Sequence, residues 1–294
     1  MVPSRQGSFH LFRALGVDVY LHWLWFFVAI LQIGYLRTGR YTSWWGPTLE
    51  YVSLFVIVLL HEYGHALACR SVGGRADQII LWPLGGVAFV DPPQRPGATL
   101  WSIAAGPLVN VILFPLLFVL WLIAGSMHWN DTRPDLYEYL TVLWALDAGL
   151  FVFNMLPIYP LDGGQILRSL LWYGFGRARS LMIASTIGFI SVGLLLLFAI
   201  RSTWLVIMAA FVLINCWSGL KSARALAKME NAPKRPDQAC PQCGAAPPVG
   251  DFWMCGRCRR PFDMFGARGQ CPHCGAQYAQ ARCAECGRFY DFQG

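Results

Sequence analysis

The residues with the clearest capacity for chemistry are His61-Glu62-Tyr63-Gly64-His65, which interrupt the apolar run from Val56 to Leu67. On an α-helix, residues four apart share a face, so His61 and His65 can offer imidazole nitrogens to one zinc ion. Glu62 then stands beside the metal as a general base, placed to take a proton from its water. Zinc lowers the pKa of such a water from about 15.7 towards 7, which makes hydroxide available at neutral pH. Three polar side chains in the middle of an apolar helix are expensive without a task, which disfavours reading them as packing residues.

A catalytic zinc usually takes three protein ligands and keeps a fourth position open. Asp162 fits the third place best. It lies in Asn154-Met155-Leu156-Pro157-Ile158-Tyr159-Pro160-Leu161-Asp162-Gly163-Gly164, where two prolines break an apolar segment and the glycines allow close backbone approach. Irregular backbone at membrane depth survives only where it is buried in protein or lines a cavity. Position alone leaves two other readings: Asp162 as the N-cap of a helix beginning near Gln165, and Asp147, mid-span, as a weaker candidate ligand. Cys69, one turn beyond His65, reads as a small packing residue.

The elements that must hold these residues are set by composition. Of 294 residues, 56% are hydrophobic and 13% charged, against about 25% charged in an average soluble domain. Such a chain cannot cover its surface with polar groups, so a bilayer is the solvent for most of it. This excludes a disordered protein, a single soluble enzyme domain and a disulfide-stapled secreted module. Apolar runs predict membrane segments at about 21–36, 48–70, 98–124, 137–157, 180–200 and 203–220, with Trp23, Trp25, Tyr35, Trp44 and Trp45 as interfacial anchors. The expected fold class is an α-helical polytopic membrane protein of about six transmembrane helices, occupying residues 1–220. With six spans, Arg5, Arg13, Arg70, Arg75, Arg95, Arg168, Arg177 and Arg179 share a side with the basic start of the tail. Only Arg37, Arg40, Arg133 and Arg201 fall opposite. The positive-inside rule then predicts that both termini are cytoplasmic, most simply in a bacterial cytoplasmic membrane.

Taken together, His61-Glu62-Tyr63-Gly64-His65, Asn154-x-x-Pro157 and Leu161-Asp162-Gly163 resemble the motifs of the site-2 protease family of intramembrane zinc metalloproteases, closest to its sporulation-type six-span branch. Further points of likeness are Gly16-Val17-Asp18-Val19-Tyr20-Leu21-His22-Trp23, Pro83-Leu84-Gly85-Gly86-Val87-Ala88 and Ala105-Gly106-Pro107-Leu108-Val109-Asn110. The resemblance covers roughly residues 9–220. It implies one catalytic Zn²⁺ on His61, His65 and Asp162, with Glu62 as general base. It also implies that Asn154 positions the substrate or its developing oxyanion. Segment 79–90 looks like the family's re-entrant β-hairpin. In that reading Pro83, Leu84, Gly85 and Gly86 contact the substrate, and an edge strand holds it extended. The expected substrate is a transmembrane protein, which must unwind locally because a helix hides its peptide bonds in i→i−4 hydrogen bonds. Asn110 reads as a cavity-lining residue or as a buried bridge between helices.

The final quarter is of another kind. Residues 221–238 are charged and proline-containing and predict a linker. Residues 239–294 carry four CxxC pairs, Cys240/Cys243, Cys255/Cys258, Cys271/Cys274 and Cys283/Cys286, separated by 11, 12 and 8 residues. A small domain with few large apolar residues needs metal staples, and a reducing cytoplasm favours zinc over disulfides. Adjacent pairing gives a first ribbon on Cys240, Cys243, Cys255 and Cys258 and a second on Cys271, Cys274, Cys283 and Cys286, hence two structural Zn²⁺ on small β-hairpins, with a crossed arrangement the open alternative. The tail's arginines and aromatics make nucleic acid conceivable, but a structural ribbon or one that binds a regulatory protein is favoured. The sequence therefore predicts a zinc-dependent intramembrane endopeptidase. A catalytically idle receptor that recruits partners through its ribbons is the competing class.

Overall fold

The structure, a computed structural model, describes residues 7–36, 40–43, 45–82, 85–199 and 203–291. Arg5, Arg37, Trp44, Pro83, Leu84 and Arg201 lie outside them. The chain opens with a hairpin, β1 (Ser8–Ala14) and β2 (Val17–His22), turned by Leu15 and Gly16 at φ 51° and 76°. Two successive positive φ values are what a two-residue turn between right-twisted strands requires. Helices α1 (Leu24–Leu36) and α2 (Trp45–Ser71) follow, then β3 (Arg75–Trp82) and β4 (Gly85–Asp91). The strands form one sheet in the order β1-β2-β3-β4, with β2 parallel to β3 and β3 antiparallel to β4. Over the segment 79–90, β3 and β4 pair antiparallel as half of a larger sheet.

Sheet and helix meet in one core. Val17 and Val19 of β2, Ile79 and Leu81 of β3, and Val58, Ala66 and Cys69 of α2 are buried together with Trp25. Trp25 corrects its expected role as an interfacial anchor. Its ring packs edge-on against Tyr51 and Phe55, because a partner helix rather than a headgroup layer covers it. The predicted first span is also shortened, since Leu21 and His22 are spent on β2.

The helical body continues with α3 (Pro96–Ser126), one turn of α4 (Trp129–Thr132), α5 (Pro134–Asn154), α6 (Asp162–Phe175), α7 (Arg177–Ala199) and α8 (Thr203–Glu230). Proline at the first position of α3 and α5 suits helix starts, where its missing N–H is not needed. Among the described residues, α2, α3 and α5 are long and apolar enough to cross a membrane. Ile112 and Leu116 on α3 are each 58% exposed, an outer surface that suits hydrocarbon rather than water. The expected break in the fourth span is real: α5 stops at Asn154 and α6 starts at Asp162. The linker expected over 221–238 is corrected, because α8 runs without interruption to Glu230. The tail carries two short hairpins, β5 (Trp253–Met254) with β6 (Pro261–Phe262) and β7 (Gln280–Arg282) with β8 (Phe289–Asp291).

The crossing of α2 and α3 is set by Gly64. A Cβ there would lie 2.6 Å from the Ala105 carbonyl oxygen and 2.9 Å from Val109 Cγ2, so backbone meets backbone only because the side chain is absent. Gly64→Leu is expected to destabilise the helical body by about 1–3 kcal/mol, the usual cost of overpacking. A fall in the unfolding temperature of the detergent-solubilised chain, larger than that of Gly64→Ala, checks it.

Candidate metal centre

Helix α2 brings His61 and His65 one turn apart on the face turned towards α3, and the first residue of α6 adds Asp162. Their ligand atoms converge: His61 Nε2 lies 3.2 Å from His65 Nε2 and 3.0 Å from Asp162 Oδ2, with His65 Nε2 3.4 Å from the same oxygen. His61, Glu62 and His65 are buried and the Asp162 side chain is 12% exposed. Neither imidazole is free to turn. His65 Nδ1 donates to the Ser102 carbonyl oxygen at 2.9 Å, and His61 Nδ1 donates to Asn110 Oδ1 at 2.7 Å. With the proton on Nδ1 in each ring, both Nε2 atoms present lone pairs to one another and to a carboxylate oxygen. A shared cation satisfies that arrangement; protons satisfy it only by charging an imidazole within an apolar bundle. The donor set therefore fits zinc.

Glycines make the room. A Cβ at Gly106 on α3 would overlap the His65 ring. One at Gly163 or Gly164 would overlap the backbone of Met155–Leu156 or Ile158–Tyr159, so the reversal between α5 and α6 packs directly on the first turn of α6. That close contact sets the Asp162 carboxylate beside His61 and His65. Its N-cap reading is not what the structure holds, since Asp162 is the first helical residue and its carboxylate faces the histidines. Asp147 is outside the convergent set, and Cys69 is a packing residue whose Sγ donates to the Arg75 carbonyl oxygen at 3.4 Å.

Glu62 points to the sheet. Its Oε2 accepts from the Ala88 amide at 2.7 Å, and a Cβ at Gly86 would overlap its side chain. Ala88 lies on β4, an edge strand, so the free edge of the sheet faces Glu62. Of the expected substrate contacts, Gly86 stands against Glu62, and Gly85 opens β4 at φ 137°. Pro83 and Leu84 fall outside the described residues. Asn154 ends α5, partly buried, and its side chain makes no hydrogen bond among the described residues; the structure does not bring it into the converging set. The supporting roles of Ser102 and Ala88 were hidden, because a backbone carbonyl and a strand amide leave no trace in residue type, while Gly106 was visible only as part of a motif.

The tail gathers its eight cysteines differently from expectation. Cys240, Cys243, Cys283 and Cys286 form one cluster, and Cys255, Cys258, Cys271 and Cys274 the other. Sulfur atoms meet at 3.8 Å for Cys240 and Cys286, 3.6 Å for Cys243 and Cys283, 3.6 Å for Cys255 and Cys274, and 3.8 Å for Cys258 and Cys271. The neighbour pairing is thus corrected to a nested one. The physical reason is a single core: Phe262, Met264, Phe265, Ala281 and Tyr290 are buried together, which folds the last hairpin back to the start of the tail. Asp263 ties the entry of the tail to its inner loop. It receives both Arg235 guanidinium nitrogens at 2.9 and 2.7 Å and the amides of Gly250 and Gly266. Burial alone would raise its pKa, but these donors, Arg235 first among them, hold the carboxyl below its usual value.

Helices with lipid-suited faces around a buried His₂Asp centre, with a glutamate beside it, define the class: an integral membrane metalloprotein. Residues 50–131 and 126–198 match the model of peptidase family M50, and the chain belongs to that family. It is 30% identical to the solved structure of the site-2 protease from Methanocaldococcus jannaschii, with a TM-score of 0.54 over 72% of this chain and 95% of that one. Zinc metalloprotease MJ0392 of the same organism is 32% identical over 195 residues, covering 66% of this chain and 55% of the relative. Stage IV sporulation protein FB of Bacillus subtilis is 34% identical over 116 residues, 39% of this chain and 37% of that protein. The chain thus spans little more than half the length of MJ0392.

The nested pairing has a direct consequence for metal content. In the full chain, Cys243→Ser with Cys283→Ser is expected to remove one zinc, because both serve one site, whereas Cys243→Ser with Cys255→Ser removes two. Zinc per chain, measured by atomic emission, separates these outcomes; neighbour pairing predicts the reverse.

Proposed function

We propose that the chain is an intramembrane zinc endopeptidase that hydrolyses a peptide bond in or near a transmembrane segment of a membrane-protein substrate. The observation that carries this reading is the convergence of His61, His65 and Asp162 inside an apolar helical body, with Glu62 on the adjoining helix position. These three residues would hold one zinc, which supplies Lewis acidity to water and to the scissile carbonyl. Glu62 takes the proton from the attacking water and returns it to the departing amine. The edge of β4 offers backbone groups to an unwound substrate strand next to Glu62, with Gly85 and Gly86 leaving room for its approach and Asn154 steadying it or its oxyanion. Catalysis at this depth requires the substrate helix to open first, since its carbonyls are otherwise engaged.

The same reading assigns six spans with both termini cytoplasmic, and places the sheet's β3–β4 hairpin as a re-entrant element. Residues 239–294 form a structural module with two zinc ions, suited to a regulatory protein more than to nucleic acid. Its Arg282 guanidinium meets the Asp91 carboxylate at the end of β4, so the tail touches the strand that faces Glu62. The product of cleavage on this topology is a fragment released to the cytoplasm.

Co-expression with single-span candidate substrates tests the assignment. Glu62→Ala is expected to reduce cleavage by about 10²-fold or more, the usual worth of a general base, without loss of the folded chain. Equal cleavage by both forms would leave the receptor reading in its place.

A further inference from the structure

Asp147 stands in the middle of α5 and is fully buried, as is Asn110 on α3. Asn110 Nδ2 donates to Asp147 Oδ1 at 2.7 Å, while Asn110 Oδ1 accepts from His61 Nδ1 at 2.7 Å. Asp147 Oδ2 has no hydrogen-bond partner among the described residues, so the bonding of this carboxylate is spent on Asn110. One line of polar contacts therefore runs from α5 through α3 to α2 and ends on a residue of the metal centre.

The sense of each bond follows from the groups at its ends. A carboxylate accepts, so Asn110 turns its NH₂ to Asp147 and its oxygen to His61. The reversed amide would set two oxygens 2.7 Å apart at Asp147. An oxygen facing Nδ1 requires the His61 proton on that nitrogen, which leaves Nε2 bare towards His65 and Asp162. Without Asp147, both senses of the Asn110 amide become accessible, and one of them points NH₂ at Nδ1 and favours the proton on Nε2, where it competes with a metal.

We propose that Asp147 is a positioning residue of the metal centre: acting through Asn110, it selects the Nδ1–H tautomer of His61 and so keeps Nε2 available for zinc. The proposal rests on the reading of His61, His65 and Asp162 as a zinc site. It departs from both simpler roles for an intramembrane aspartate. Asp147 is not in the converging ligand set, and a mere packing contact has no reason to fix the sense of an amide two bonds from the metal position.

The test is zinc retention by the full chain in detergent micelles, titrated with a chelator of graded strength. His61→Ala supplies the background from the cysteine clusters. Asp147→Leu is expected to lose the zinc above that background at about 10–100-fold lower chelator strength than wild type, the range for removing a group that orients a ligand. The exchange variant Asn110→Asp/Asp147→Asn puts the carboxylate directly on His61 and the amide behind it. It is expected to restore retention, because an acceptor again faces Nδ1. Wild-type retention by Asp147→Leu, or an exchange variant that holds no more zinc than His61→Ala, overturns the proposal. If Asp147→Leu does not fold, the exchange variant decides alone. Equal zinc in wild type and His61→Ala would instead overturn the zinc site itself, a separate result.

Discussion

Everything in the membrane body is arranged around one electrostatic constraint. Two imidazole nitrogens and a carboxylate oxygen face one another within 3.4 Å among apolar helices. Without a cation, lone pairs oppose lone pairs among apolar helices; these three groups would hold a zinc ion, whose charge would relieve that opposition. The polar groups behind the rings serve this constraint. The Ser102 carbonyl and the Asn110 amide take the Nδ1 protons, so that each ring is oriented by a hydrogen bond pointing away from the metal position.

Such a centre needs three helices at less than ordinary spacing, and the fold achieves this by deleting side chains. Gly64 lets α2 sit on the Ala105 carbonyl, Gly106 leaves a space that the His65 ring fills, and Gly163 and Gly164 let the α5–α6 reversal close over the first turn of α6. Gly86 does the same for the sheet, admitting Glu62 against β4. Each is a contact in which a methyl group would occupy the place of a backbone atom or of a His65 or Glu62 side-chain atom. Packing between apolar helices in lipid gains little from hydrophobic transfer, so close van der Waals approach of this kind carries much of the association.

The parts of this design that depend on local pattern were readable in the sequence. Four-residue spacing on a helix placed His61 and His65 together, and prolines 157 and 160 announced the break that presents Asp162. Parts that depend on non-local pairing were hidden. The parallel contact of β2 with β3 crosses two intervening helices, and nothing in Val17–His22 alone says which strand it will join. The helix through Glu230 overrode a composition that reads as linker, because charged residues such as Lys221, Arg224 and Lys228 are good helix formers. Four CxxC pairs are identical as text, so the nested clusters followed only from the shared core of Phe262, Phe265 and Tyr290. Asn110 was visible as a polar residue in an apolar run, but its partners on two other helices were not.

Nesting also changes what the tail is. Two ribbons in series would be independent beads, each folding on its own metal. Here the inner cluster, Cys255 to Cys274, closes a loop inside the one closed by Cys240 and Cys286, and both bury the same aromatic residues. Closing the inner loop shortens the effective length of the outer one, so the entropy cost of the second closure falls once the first is made. Metal bound at both clusters would therefore be coupled through chain entropy as well as through packing, and Arg235 with Asp263 joins the entry to the inner loop. Because α8 runs to Glu230 and Arg282 meets Asp91, this unit is joined to the helical body through its entry helix and, among the described residues, also touches the end of β4. The contact at Asp91 lies on the strand whose Ala88 amide is bonded to Glu62, so the tail and the glutamate meet the same strand.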